Sequence, residues 1–288
     1  MKNILLKIVS ILVVIVLSLI LCAIGPGIMM VILSPLTNSG NQVLSFISSY
    51  LSMAGIWIAF FVYCYVVKKN RKYFKYLGKE AKGNKLSTIL KIGLPCGLGL
   101  NLICGFVALT QHSIELSFNE FNPLLILLLF VVIGIQSGAE ELQARWFIYH
   151  KIEDIIPEHP LVPVFLSALI FSLLHITNPG MTSLAFFGLL LMSTVTAEIV
   201  YFYDSFWGAV VMHTGWNFCQ NIILGLPNSG IVSAYSIFKL NTTTMTNGLA
   251  YNTLFGFEGS VLCCLGLLIE AIIIYVLGNK HKAKQSRE

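Results

Sequence analysis

Runs of about twenty apolar residues with almost no charge recur along this chain, and that length is what an α-helix needs to cross the roughly 30 Å hydrocarbon core of a bilayer. They fall at about 4–24, 43–67, 86–110, 122–144, 161–176, 183–203, 205–224 and 259–278. The fifth run is short, and polar residues interrupt the seventh. Only 11% of the residues are charged and 56% are apolar, whereas soluble domains carry roughly 25% charge. Too little polar surface remains to wrap a water-soluble core. The expected fold class is therefore all-α: a polytopic membrane helical bundle of about eight transmembrane helices with both termini cytoplasmic.

The basic residues supply that threading. Between the second and third runs, KKNRKYFKYLGKEAKGNK (68–85) carries eight Lys or Arg against one Glu, and the C-terminus ends in KHKAKQSRE. Basic loops stay in the cytoplasm. With the N-terminus inside, Lys2, Lys7, the eight basic residues of 68–85, Arg145, Lys151, Lys280, Lys282, Lys284 and Arg287 share that side, which is 16 of the 18 Lys and Arg. Lys239 falls in an outer loop, and Lys91 lies a turn inside the third span, from which it can snorkel. The segment 68–85 reads as a topogenic loop beside an anionic leaflet, and no nucleic-acid partner is indicated.

Division of the chain follows the same pattern. Residues 1–110 would form the first three spans with the basic loop, and 111–288 a core of five spans with the basic tail, all within one membrane domain. The first span reads as an uncleaved anchor, since no small-x-small cleavage site follows it. Gly25, Pro26, Gly27 and Pro35 in the tract 25–36 are expected to end its helix. The loop 225–258, with NTTTMTN, is expected to be an outer, mobile segment. The seven cysteines sit in apolar runs without a C-x-x-C spacing, which points to neither a disulfide framework nor a zinc knuckle.

Ionisable groups inside spans are costly and so are the first places to look for chemistry. Here they are Glu140, Glu141 and Arg145 in the fourth span, His175 in the fifth, Glu198 in the sixth, His213 in the seventh, with Asn217, and Glu270 in the eighth. Phe171 and His175 are spaced i, i+4, as are His213 and Asn217, so each pair shares a helical face. Glu141 and Arg145 have the same spacing, which favours an ion pair along the helix. Glu140 lies about 100° round from Glu141 and lacks such a partner. It is left to face a cavity, where a carboxylate beside a histidine can take a proton from water. Glu198 and Glu270 have no motif around them and read as interhelical polar contacts.

Three motifs, EELQAR (Glu140 to Arg145), FSLLH followed by ITNP (Phe171 to Pro179) and HTGWN (His213 to Asn217), resemble the signature motifs of the CPBP family, also called Abi, of intramembrane proteases. That family includes the eukaryotic CAAX-processing endopeptidase and bacterial bacteriocin-processing and self-immunity proteins. The resemblance covers about 120–225, and FGFEGS (Phe255 to Ser260) is also similar. It implies that Glu140 activates water with help from His175, that His213 and Asn217 complete the site and stabilise an oxyanion, and that Glu141, Arg145 and Phe171 are supporting. A departure lies at the start of the seventh span, where Tyr203, Asp204 and Ser205 replace a Thr-Gly-Ser-like turn.

The implied activity is an endopeptidase acting on a membrane-associated peptide or lipidated protein, in a multi-pass chain of a bacterial plasma membrane. Access to the cavity is expected from the cytoplasmic half, and a bacteriocin, leader or pheromone precursor is favoured over a CAAX-like tail. Glu140, His175 and His213 could also supply three zinc ligands, but H-E-x-x-H is absent and metal-independent chemistry is favoured, with no cofactor. Two other classes stay open. A non-catalytic immunity or scaffold protein could use the same fold, and a proton-coupled transporter could use buried Glu and His, although the inverted repeats of transporters are not seen.

Overall fold

The computed structural model describes residues 2–285. The side chain of Lys2, and Arg287 of the basic tail, lie outside the described residues. Helices α1 (Lys2–Ile32), α2 (Ser34–Thr37), α3 (Gln42–Ser52) and α4 (Ala54–Val66) are followed by a 3-10 helical stretch, Lys68–Tyr76, in the basic loop. Next, α5 (Leu86–Thr88) runs through a π-helical turn, Ile89–Gly93, into α6 (Leu94–Thr110). After strand β1 (Leu116–Phe118), α7 (Pro123–Glu141) continues through π-helical Leu142–Tyr149 into α8 (His150–Ile155). Then come α9 (Val162–Leu174), α10 (Ser183–Tyr203), α11 (Phe206–Phe218) with a π-helical extension Cys219–Ile223, strand β2 (Phe238–Leu240) and α12 (Val261–Gln285).

This is a multi-pass membrane helical bundle. Among the described residues, six helical stretches are long and apolar enough to cross a bilayer: Ile4–Ile32, Gln42–Val66, Leu86–Thr110, Pro123–Ile155, Ser183–Tyr203 and Val261–Lys284. The fifth and seventh runs appear as the shorter α9 and α11. Side-chain oxygens cap the N-termini of α3, α7, α10 and α11: Asn41 Oδ1 accepts from Val43 N, Asn122 Oδ1 from Leu125 N, Thr182 Oγ1 from Ala185 N and Ser205 Oγ from Gly208 N. Each satisfies a backbone donor that a helix leaves unpaired.

Two helices outrun their expected ends. First, α1 passes through Pro26 and stops at Ile32. A proline costs the helix one hydrogen bond, a loss that membrane helices tolerate. Secondly, the stretch starting at Pro123 does not end near 144 but reaches Ile155, 33 residues in all. Its last turns are apolar and packed: Trp146, Phe147, Ile148 and Ile152 are buried with Phe60 and Cys64 of α4 and Tyr73 of the basic loop. Glu140, the eighteenth residue of that stretch, consequently sits at its middle.

The connections sort to two ends. At one, the basic loop is fastened to α8 and to the turns around Asp204: Lys72 Nζ donates to Asp154 at 2.6 Å, the Lys82 amide to Asp204 Oδ2 at 2.9 Å and Trp207 Nε1 to the Leu77 carbonyl at 2.9 Å. The His281 ring of the C-terminal helix lies 5.1 Å from that of Tyr203. At the other end β1 and β2 pair antiparallel, Leu116 with Leu240 and Phe118 with Phe238. The segment 225–258, expected to be mobile, is packed down there, with Tyr235, Ala250, Tyr251, Phe255 and Phe257 buried.

Candidate active site

Three helices, α7, α9 and α11, bring the singled-out residues together. From α7, Glu140 points into a small cavity of about 40 Å³ that is also lined by His175, His213, Asn217 and Phe171, room for a few waters at about 10–15 Å³ each. Glu140 Oε2 lies 3.6 Å from His213 Nε2 and 3.9 Å from His175 Nε2. Glu141 turns away from the cavity: its Oε2 is 3.1 Å from Arg145 Nε, and both side chains are fully buried. Arg145 also donates to Ser193 Oγ at 2.7 Å and to Thr196 Oγ1 on α10, and its guanidinium carbon stands 5.2 Å from the centre of the Phe171 ring.

Hydrogen bonds set the tautomer of each histidine. Glu141 Oε1 is 2.9 Å from His213 Nδ1, and a carboxylate only accepts, so Nδ1 carries the proton. The Phe171 carbonyl, 2.8 Å from His175 Nδ1, imposes the same choice there. Both rings therefore present Nε2 to Glu140. The separations exceed the 2.7–3.2 Å of a direct hydrogen bond and leave a space between three acceptors in which a water's two hydrogens find partners.

The chain adds residues that motif reading does not single out. Gln136, one turn before Glu140, donates its amide to Glu140 Oε1 at 2.5 Å. Asn217 Nδ2 donates to Ser137 Oγ at 3.1 Å and Gln136 Oε1 at 3.3 Å, so its amide hydrogens are committed to α7. Tyr50 of α3 also lines the cavity. Gln136 obeys the same i, i+4 rule as the recognised pairs and was findable by it, whereas nothing in the sequence around Tyr50 marks it. Glu198 and Glu270 are not among the cavity residues, and their Oε2 atoms have no hydrogen-bond partner.

A turn roofs the cavity. Asn228 and Ile231 exchange backbone hydrogen bonds across Ser229 and Gly230, which have φ of 47° and 82°. Such φ values suit a tight type I′-like turn. Asn178 Nδ2, from the segment after His175, donates to the Ser229 carbonyl at 3.0 Å. A Cβ on Gly230 would lie 2.1 Å from the Pro179 carbonyl oxygen, so only glycine lets the turn sit this close. Beneath it, buried Glu258 accepts from Trp216 Nε1, Gln220 Nε2 and Asn228 Nδ2 at 2.8–3.0 Å. Burial raises the Glu258 carboxyl above its usual 4.5, against the pull of those donors.

Zinc can be tested on the donor set. Both histidines have Nδ1 hydrogen-bonded, as metal-binding histidines do. Two ligands at about 2.0–2.1 Å from a tetrahedral zinc stand roughly 3.3 Å apart, however, and Glu140 keeps 3.6 and 3.9 Å from the two nitrogens. No group of three His, Cys, Asp or Glu among the described residues meets metal-binding spacing. The trio as arranged is more open than a tetrahedral zinc site.

Inside a membrane bundle, a carboxylate, two imidazoles and an amide thus meet on one small polar cavity, the kinds of group that can move a proton to and from water. Residues 120–219 match the family model described as type II CAAX prenyl endopeptidase Rce1-like. That segment is an Rce1-like domain of the CPBP, or CAAX protease, family, and it contains all three motifs. No curated protein and no solved structure matches the chain.

Proposed function

We propose that the protein is an intramembrane endopeptidase that hydrolyses a peptide bond with water activated by Glu140. The convergence of Glu140, His175 and His213 from three helices on one small polar cavity carries this reading. Water held between Glu140 Oε2 and the two Nε2 atoms gives its proton to Glu140 as its oxygen attacks the carbonyl carbon. The C–N bond then breaks, and the departing amine takes a proton from Glu140 or His213.

Charge on the tetrahedral oxygen needs a donor. His213 becomes one when Glu140 passes the water's proton to its Nε2, giving an imidazolium that Glu141, accepting from Nδ1 and held in place by Arg145, orients and stabilises. Asn217 acts through Gln136, fixing the amide that orients Glu140. Arg145 and Glu141 support this arrangement from the side away from the cavity, and Phe171, which packs against the Arg145 guanidinium, supports it from the cavity wall.

The test is turnover of a quenched fluorogenic peptide library by detergent-solubilised protein. Glu140→Gln should abolish cleavage while the elution profile in size exclusion stays that of the wild type. Equal turnover by the variant sinks the mechanism.

A further inference from the structure

We infer that the catalytic cavity opens to the non-cytoplasmic face of the membrane, and that its substrate is a polypeptide segment presented on that face. The inference rests on the endopeptidase reading and goes beyond it. The sequence expectation is access from the cytoplasmic half, with the fourth span ending near 144 and Glu140 close to that end. The helix instead runs to Ile155, so about fifteen residues, or roughly 22 Å of helix, separate Glu140 from the basic end.

What lies on each side of the cavity decides the direction. Toward the basic end comes first the Arg145 layer, with the guanidinium fully buried against Ser193 and Thr196. Beyond it Tyr149, Val164, Ala197, Val200 and Ala209 form an apolar plug between the π-helical segment, α9, α10 and α11. The basic loop then closes the end through Trp207, Asp204 and Lys82. Toward the other end the turn Asn228 to Ile231, lying on Asn178 and Pro179, forms part of the cavity wall.

Outside that turn is a larger groove of about 350 Å³, lined on its near side by Pro227 and Val232 and farther off by Ser236, Lys239 and Met245. The turn is thus the partition between a water-sized catalytic space and a peptide-sized groove. Lifting it joins the two. All the basic residues of 68–85 lie at the plugged end, while Lys239 is the one Lys or Arg between 111 and 144 or between 175 and 260. The positive-inside rule therefore puts the plug in the cytoplasm and the turn outside. The same hydrolysis follows there: water oxygen bonds to the carbonyl carbon, the C–N bond breaks, and a carboxylate and an amine leave on the outer face.

Two measurements test this. An impermeant maleimide applied to intact cells should label Val232→Cys at least tenfold more than Lys79→Cys, with the order reversed in inverted membrane vesicles and wild-type protein as the blank. An impermeant, sulfonated fluorogenic peptide from the same library should be cleaved in right-side-out vesicles and at least tenfold less in inverted ones, with detergent removing the difference. The opposite labelling order, or Glu140-dependent cleavage in inverted vesicles alone, overturns the sidedness and leaves the endopeptidase standing. Absence of Glu140-dependent cleavage in detergent removes the endopeptidase reading, and with it the inferred substrate, while the labelling still reports which face the turn occupies.

Discussion

Gln136 shows how one side chain ties the site together: it donates to Glu140 and accepts from Asn217. Gln136→Ala removes the orienting bond but none of the groups that react. A hydrogen bond of about 1–1.5 kcal/mol corresponds to roughly a tenfold loss, which should appear in kcat with KM little changed, measured on the best library peptide. Arg145 makes the complementary case. Arg145→Met leaves the Glu141 carboxylate buried without its counter-charge, a change that costs about 3–5 kcal/mol. Adding Glu141→Gln should recover much of the lost thermal stability, because two neutral side chains bury more easily than one unpaired charge.

At the scale of elements, the position of α11 determines whether His213 reaches Glu140. Helix α6 lies so close that a Cβ on Gly97 would stand 2.3 Å from the Met212 carbonyl oxygen, a backbone atom that cannot swing aside. Gly97→Val should push α11 away from α6, lowering both the melting temperature in detergent and turnover. The roof depends in the same way on Glu258. Its carboxyl is raised in the folded state by burial, so its contribution is complete below the usual 4.5 and is lost as pH rises through the higher folded value. The stability advantage of wild type over Glu258→Gln should therefore shrink with rising pH, at up to about 1.4 kcal/mol per pH unit, when melting is followed from pH 4 to 8.

For the whole molecule, the matched segment 120–219 is only part of what builds the site. Tyr50 of α3 lines the cavity, α6 supports α11, and Glu258 holds the roof from beyond the matched residues. A chain starting at residue 111 would uncover the face of α11 that packs on α6 and the faces of α7 and the π-helical segment that pack on α3 and α4. Such a chain should fail to give a monodisperse species in detergent and show no cleavage, as size exclusion and the peptide assay would report.

Local rules made much of this legible in the sequence. Hydropathy marks the spans because lipid admits helices whose backbone groups are all satisfied, and i, i+4 spacing places Glu141 with Arg145, Phe171 with His175 and His213 with Asn217 on single faces. Those properties belong to a turn or a span, so neighbouring residues suffice to express them. The depth of Glu140, the committed hydrogens of Asn217 and the partition made by residues 228–231 depend on contacts between segments far apart in the chain. A hydropathy run loses its edge at Arg145, yet Trp146 to Ile152 stay helical because α4 and the basic loop bury them. By itself the sequence determined a charge-sorted membrane bundle and the residues available for chemistry; tertiary packing alone decided which end of that bundle is plugged and at which end a turn forms part of the cavity wall.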